Sequence, residues 1–424
     1  MSAPPRADAP APARRRWPVV LALLGAGVFV LLALLWWIVP VERAIPLVLA
    51  RLGASMGLEI SARGDSATRL GRHPSFVVRD LVAREPGAER PVLRAGRVLV
   101  ALPWRTIRGL GDPLHLVRIE LDAPQLDVQA LQRWLAARPS GDSPLPTLDD
   151  GLHVRDGRVL GGGWTIEALA LAMPTLREDA PLRARASGRY VDAATRAPFD
   201  LAATLQRPAS GRGFAVAGRV APARADWRLP LWIKLSGALH WEPTLALLPA
   251  TLGASGRFLS DTTAVPFSLG LHGPLRSHPG AWTLLPAGLA LRGGGLVPEL
   301  DARGRLALGQ SLLLDLEGRI AQWPAGWPAL PPPLGASRAP LALSAGYHGP
   351  LDLGAPLALR VARDGLRFDG MLDLPAVAAW SADPWAGSPL PPLEGRLHAT
   401  ALEISGARLE GVAIEFEDEQ AAAP

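Results

Sequence analysis

The sequence predicts a mainly β protein: one N-terminal transmembrane helix followed by a long, twisted, mostly antiparallel sheet with few short helices. Three observations predict it. Residues 18–39, PVVLALLGAGVFVLLALLWWIV, form an uninterrupted apolar run directly behind Arg14, Arg15 and Arg16. From Glu59 onward the dominant hydrophobic period is two. The 44 glycines and 43 prolines are scattered rather than periodic, which gives many short elements joined by turns instead of collagen or one long linker.

Residues 1–17 are rich in Pro, Ala and Arg and read as a disordered cytoplasmic tail. As a helix, residues 18–39 reach roughly 33 Å, enough for the ~30 Å hydrocarbon core of a bilayer. Pro18 occupies a first-turn position, Pro40 stops the helix, and Trp17, Trp36 and Trp37 place indoles at the two interfacial levels. The arginines precede the run and no comparable cluster follows it, so the N-terminus is expected inside and the bulk of the chain across the membrane. A cleavable signal peptide is the rival, but its apolar core is about 7–15 residues and ends at an A-x-A-like site, which this run lacks. Residues 40–57 carry Ile45, Leu47, Val48, Leu49 and Leu52 in an amphipathic pattern, a membrane-proximal segment.

The strand pattern begins in residues 58–137. In 116–122, LVRIELD, Val117, Ile119 and Leu121 share one face and Arg118, Glu120 and Asp122 the other. Residues 128–137, with Leu131, Trp134 and Leu135 on one side, read as a short helix, and 138–150 as a linker-like loop. Residues 151–417 form a repetitive β region, followed by a disordered tail, 418–424. Within it Leu312, Leu314 and Leu316 oppose Asp315, Glu317 and Arg319, and in 366–374 Leu366, Phe368, Leu372 and Leu374 oppose Arg367, Asp369 and Asp373. Pro-rich breaks at 323–340 and 381–392 read as loops off a continuing sheet.

Two repeated signals fit a meander of hairpin-connected strands. The string HGPL occurs at 272–275 and again at 348–351, read as paired turns. Gly-Arg recurs at 188, 218, 256, 304, 318 and 395, read as a glycine bend before a strand. The competing reading is that glycine and arginine are simply abundant.

Composition excludes more chemistry than it suggests. At 49% hydrophobic and 20% charged, the chain buries apolar surface and is not disordered beyond its tails. The net charge of +5 is spread out and lacks interleaved aromatics, so no nucleic-acid partner is expected. Without cysteine there is no disulfide, CxxC or thiolate metal chemistry. Residues 53–57, GASMG, spell the G-x-S-x-G of a nucleophile elbow around Ser55, but a helix-like segment precedes it and a strand-like one follows, the reverse of what that motif needs. The eight histidines show no H-x-x-x-H or H-E-x-x-H spacing, and Asp149, Asp150 and the acids of 415–419 read as solvated charge. The expectation is a protein with no catalytic residues, no metal site and no cofactor.

One further signal is the order of pieces. The anchor leads to ARLG at 50–53 and GLEI at 57–60, then PSFVVRDL at 74–81, RVLVAL at 97–102 before Trp104-Arg105, and VRIELDAPQLDV at 117–128. Over about residues 18–130 this order resembles the AsmA-like proteins of double-membrane bacteria, relatives of the periplasmic lipid-bridge proteins. The resemblance implies a sheet curled into an open groove, apolar inside and polar toward the periplasm, with no catalytic residues to carry over. It implies an inner-membrane-anchored, single-pass periplasmic protein that binds or transfers phospholipid-like molecules and supports outer-membrane assembly. Its partners would be the inner membrane, an acyl-chain ligand and envelope assembly proteins. Candidate groove residues are Leu312, Leu314, Leu316, Leu366, Phe368, Leu372 and Leu374. The alternative is a non-enzymatic scaffold whose sheet is self-packed.

Overall fold

The computed structural model describes residues 57–63, 67–69, 71–101, 103–104, 115–136, 147–177, 179–206, 213–240, 245–260, 263–278, 280–327, 337–382, 393–404 and 407–416. The expected anchor with Arg14, Arg15, Arg16, Trp17, Trp36 and Trp37, the membrane-proximal segment through residue 56, Ser55 and the tail 418–424 lie outside the described residues. Among the described residues no helix is long and apolar enough to cross a membrane. The fold is mainly β, with 23 strands in one large, mostly antiparallel sheet.

The sheet starts on two short strands, β1 (Glu59–Ala62) and β2 (Ala67–Arg69), both paired with β3 (Ser75–Arg84). β3 pairs with β4 (Leu93–Ala101), and β4 with β6 (Arg118–Asp122) and β7 (Gln125–Asp127). Ala123, at φ 48°, and Pro124 make the break between β6 and β7. Asp127 then caps α1 (Val128–Ala136), its Oδ1 accepting the Ala130 N–H at 2.9 Å. The chain returns as β9 (Leu152–Leu160), parallel to β6 and β7, so the expected meander is interrupted here by a crossover. A two-stranded parallel pair, β5 (His115–Leu116) with β8 (Thr147–Leu148), sits beside it.

This first part holds the large core: Val98, Val100, Leu116, Ile119, Ala130, Trp134, Leu148, Leu152, Met173 and Leu176 are all buried in one cluster. The core does not stop at the expected linker. Leu148, within 138–150, is 1% exposed. Glu120, read as a wet-face residue, is 9% exposed.

From there each strand pairs antiparallel with the next, through β10 (Trp164–Met173), β11 (Leu182–Asp192), β12 (Arg196–Leu205), β13 (Phe214–Val220), β15 (Leu231–His240) and β16 (Ala246–Ser260). The short β14 (Trp227–Arg228) pairs with the end of β16. The run continues through β17 (Ala264–His278), β18 (Ala281–Gly293), β19 (Leu300–Leu308), β20 (Leu312–Ile320), β21 (Leu341–Gly349) and β22 (Leu357–Arg363). It ends on β23 (Leu366–Leu372), β24 (Leu393–Ile404) and β25 (Ala407–Phe416).

Alternate turns therefore fall on opposite rims. The start of β1 and the 364–365 turn lie on one, the entry rim. Residues 309–311 and 350–356 lie on the other, the far rim. The expected strand 366–374 ends at Leu372, and Leu374 opens α2 (Leu374–Ala382). The cause is local: Asp373 caps the helix, accepting the Ala376 N–H at 3.0 Å, and Pro375 suits its first turn.

Candidate functional site

The site candidate is one face of the long sheet. Strand registers place Ala184, Ala203, Val216, Leu235, Leu252, Leu271, Leu289, Ala302, Gly318, Leu343, Val361, Phe368, Leu397 and Ile414 opposite one another in a single row from β11 to β25. No member is charged. All but the buried Ala302 are half-buried, as expected when strand neighbours shield a side chain from the sides and nothing packs on top. The buried clusters agree. Beyond the large core, the described residues contain only a small one around Leu205 and another around Leu366 and Ala399. Leu247, Leu284 and Leu316 are also buried, as is the cross-strand pair Ile320 and Leu341. Among the described residues, the one charged side chain on this face from β12 to β23 is Arg363. It is 7% exposed at the entry rim, and its Nη1 donates to the Ser337 carbonyl at 3.2 Å.

Leu312, Leu314 and Leu316 on β20 and Leu366, Phe368 and Leu372 on β23 all belong to this face, joined through the intervening registers. Leu374 does not; it lies on α2 at the far rim.

The Gly-Arg pairs are not bends before strands. All six lie inside strands, with the glycine on the apolar face and the arginine on the other. A Cβ on Gly218 would come 2.0 Å from the Asp200 carbonyl oxygen, and one on Gly304 1.8 Å from that of Asp315. The paired strand's carbonyl crowds these positions, and only glycine leaves room for it.

A second device went unread in the sequence. Leu247-Leu248-Pro249-Ala250 and Leu284-Leu285-Pro286-Ala287 repeat one another, both Leu–Pro bonds are cis, and each string bulges β16 or β18 against both neighbours. The bulges face Gly237 and Gly273, where an added Cβ would meet the Pro249 and Pro286 carbonyl oxygens at 2.2 Å. The HGPL at 272–275 belongs to this second bulge and is no turn, whereas 348–351 does run into one. The LLPA string was the available signal.

The opposite face is a ladder of ion pairs. Arg185 donates to both Asp200 oxygens at 3.0 and 2.8 Å, which holds that carboxyl below the ordinary aspartate value. Arg292 meets Asp301 at 2.7 Å, Arg305 meets Asp315 at 3.0 Å and Arg396 meets Glu415 at 2.8 Å. Asp369 takes both Arg367 and Arg360, and these hydrogen bonds lower its pKa to about 2. An open hollow of about 710 Å³ on this face is lined mainly by charged side chains, Arg303, Arg305, Asp315 and Glu317 among them, with Leu285 and with Ala302 and Gly318 of the row also at its wall.

At the N-terminal end the same face carries a tighter cluster. Glu120 lies 2.6 Å from Arg118, 3.5 Å from Arg97 and 3.8 Å from Arg155, and Asp122 lies 2.6 Å from Arg97. His153, across from Glu120, is pushed below its ordinary value by burial and by Arg118. Among the described residues no three His, Asp or Glu side chains are placed to hold a metal ion. No protein-family model matches the chain, and no curated protein matches it.

Proposed function

We propose that the chain is an AsmA-like, inner-membrane-anchored periplasmic protein that holds phospholipid-like molecules by their acyl chains along the apolar face and supports outer-membrane assembly, without performing catalysis. The observation that carries this reading is the uncharged, half-buried row from β11 to β25, which has no opposing layer among the described residues. An exposed apolar surface of this extent needs an occupant. An acyl chain lying on it escapes water at ~0.8 kcal/mol per CH₂ and needs no charged group to hold it. Glycines that admit a neighbouring strand's carbonyl on this face support a curled, groove-like course, and the row from β11 to β25, at ~4.8 Å per strand, gives a track on the order of 60 Å. The apolar run at 18–39 supports the anchor.

A second reading, a self-packed scaffold, is favoured locally by Ile320 and Leu341, 3% and 2% exposed at the entry rim. One experiment separates the two. A photo-crosslinking residue at Phe368 of the full-length chain, activated in cells, should capture lipid identifiable by mass spectrometry. The same residue at Arg396, on the charged face, should not. Equal lipid capture at both, or none at either, defeats the proposal and leaves the scaffold.

A further inference from the structure

The far rim between β18 and β22 exposes a strip of large apolar side chains. Trp282, Leu308, Leu351 and Leu353 are 41%, 51%, 53% and 38% exposed. They are contiguous by register: Trp282 is the partner of Leu308, Leu308 of Leu312, and Leu312 of Gly349, two residues before Leu351. The segments that build this rim, 278–283, 307–312 and 348–357, contain no arginine or lysine, in a chain with 44 of them. Their single carboxylate, Asp352, turns its Oδ1 back to the Gly354 N–H at 3.0 Å. An isolated exposed leucine means nothing, but a run of them across neighbouring strands, cleared of cations, is a contact surface.

We infer that this strip is a lip that docks on a phospholipid bilayer surface, an inference that rests on the lipid-carrying reading above. Two features favour a bilayer over a protein partner. The strip is a line of Leu and Trp tips, and an indole beside leucines suits the headgroup boundary, where one end of the ring is apolar and the other wet. It is also the terminal row of the apolar face. The next row inward, Leu284, Leu306, Leu314 and Tyr347, is joined to it by register without an intervening charge. An acyl chain leaving a bilayer pressed against this rim meets apolar side chains throughout. The lip lies twelve to sixteen strand positions from β1, on the order of 60–75 Å at ~4.8 Å per strand, well removed from where the chain enters the sheet.

The test uses the full-length chain reconstituted in donor vesicles carrying a quenched fluorescent phospholipid, with acceptor vesicles of phosphatidylethanolamine and phosphatidylglycerol. Docking is read by co-flotation of acceptors and transfer by dequenching. The triple variant Leu308→Asp/Leu351→Asp/Leu353→Asp should lower both by at least about tenfold, because the leucine tips supply the insertion energy. Met371→Asp, 44% exposed on the charged face opposite Glu394, should change neither. Lipid capture at Phe368 should persist in the triple variant. Undiminished docking by that variant overturns the lip, as does wild-type docking that appears only when a protein extract is added. Loss of lipid capture at Phe368 in the wild type instead overturns the reading beneath it.

Discussion

The openness of the apolar face makes a quantitative prediction about truncation. Ile119, 1% exposed in the N-terminal core, and Leu252, half-buried in the middle of the row between Leu235 and Leu271, are chemically similar side chains in different surroundings. Ile119→Ala removes three carbons from a filled interior. At ~0.8 kcal/mol per buried CH₂, with a cavity term added, it should cost about 3–4 kcal/mol. Leu252→Ala removes the same number from a site shielded only on its flanks, where no cavity can form because one side is open. About half the transfer term remains, roughly 1 kcal/mol. The assay is urea denaturation of delipidated protein, with hydrogen exchange resolving β6 and β16 because so long a sheet need not unfold in one step. If Leu252→Ala costs 3 kcal/mol or more in β16, a layer covers the face and the case for an open track is lost.

Two further predictions address the devices that shape the sheet. Gly273→Ala, at φ 149° with the added Cβ 2.2 Å from the Pro286 oxygen, should lower stability by more than about 2 kcal/mol in thermal unfolding. Gly270→Ala, whose Cβ would find nothing nearer than 3.9 Å, should be neutral or slightly stabilising by the same measurement. Asp369 supplies the pH test. Its folded pKa of about 2 lies below the ordinary value, so its contribution is complete above about pH 4 and is lost as pH falls toward 2. Asp369→Asn should flatten that part of the stability profile, within the ~1 kcal/mol ceiling of exposed ion pairs, and an unchanged acid slope would show that the pairs with Arg360 and Arg367 contribute nothing.

What could be read from the sequence follows the range of the forces involved. Alternation is local, so β20 and the first part of β23 were legible, and six of the seven groove candidates fall on one face. Leu374 continues the alternation by spacing, yet Asp373 and Pro375 around it are a helix start, and the capping signal wins. Glu120 alternates like a solvent residue but is buried by arginines from β4, β6 and β9, two of those strands distant in sequence. The Gly-Arg pairs were misplaced for the same reason. A glycine needed because a neighbouring strand's carbonyl approaches looks, in one dimension, like a glycine needed for a bend. The inserted residue in each LLPA string breaks the period of two within β16 and β18, strands of 15 and 13 residues, so alternation alone does not carry through them.

The distribution of burial also bears on how an occupant would act. The N-terminal core, with its crossover helix and parallel pairings, draws together residues far apart in sequence and can unfold only as a unit. Beyond β11 each strand is held mainly by its two neighbours, so stability there is close to a sum of local terms, as in a repeat protein. A ligand that binds only the folded face stabilises by RT ln(1 + [L]/Kd), about 2.7 kcal/mol at a hundredfold excess over Kd, but in a quasi-one-dimensional sheet that gain stays on the strands it covers. Slower hydrogen exchange on lipid loading, confined to β12–β25 and absent from β3–β9, would be the signature of acyl chains on the apolar row. Uniform protection across both regions would instead mark a single cooperative body, with the N-terminal core and the apolar row unfolding together.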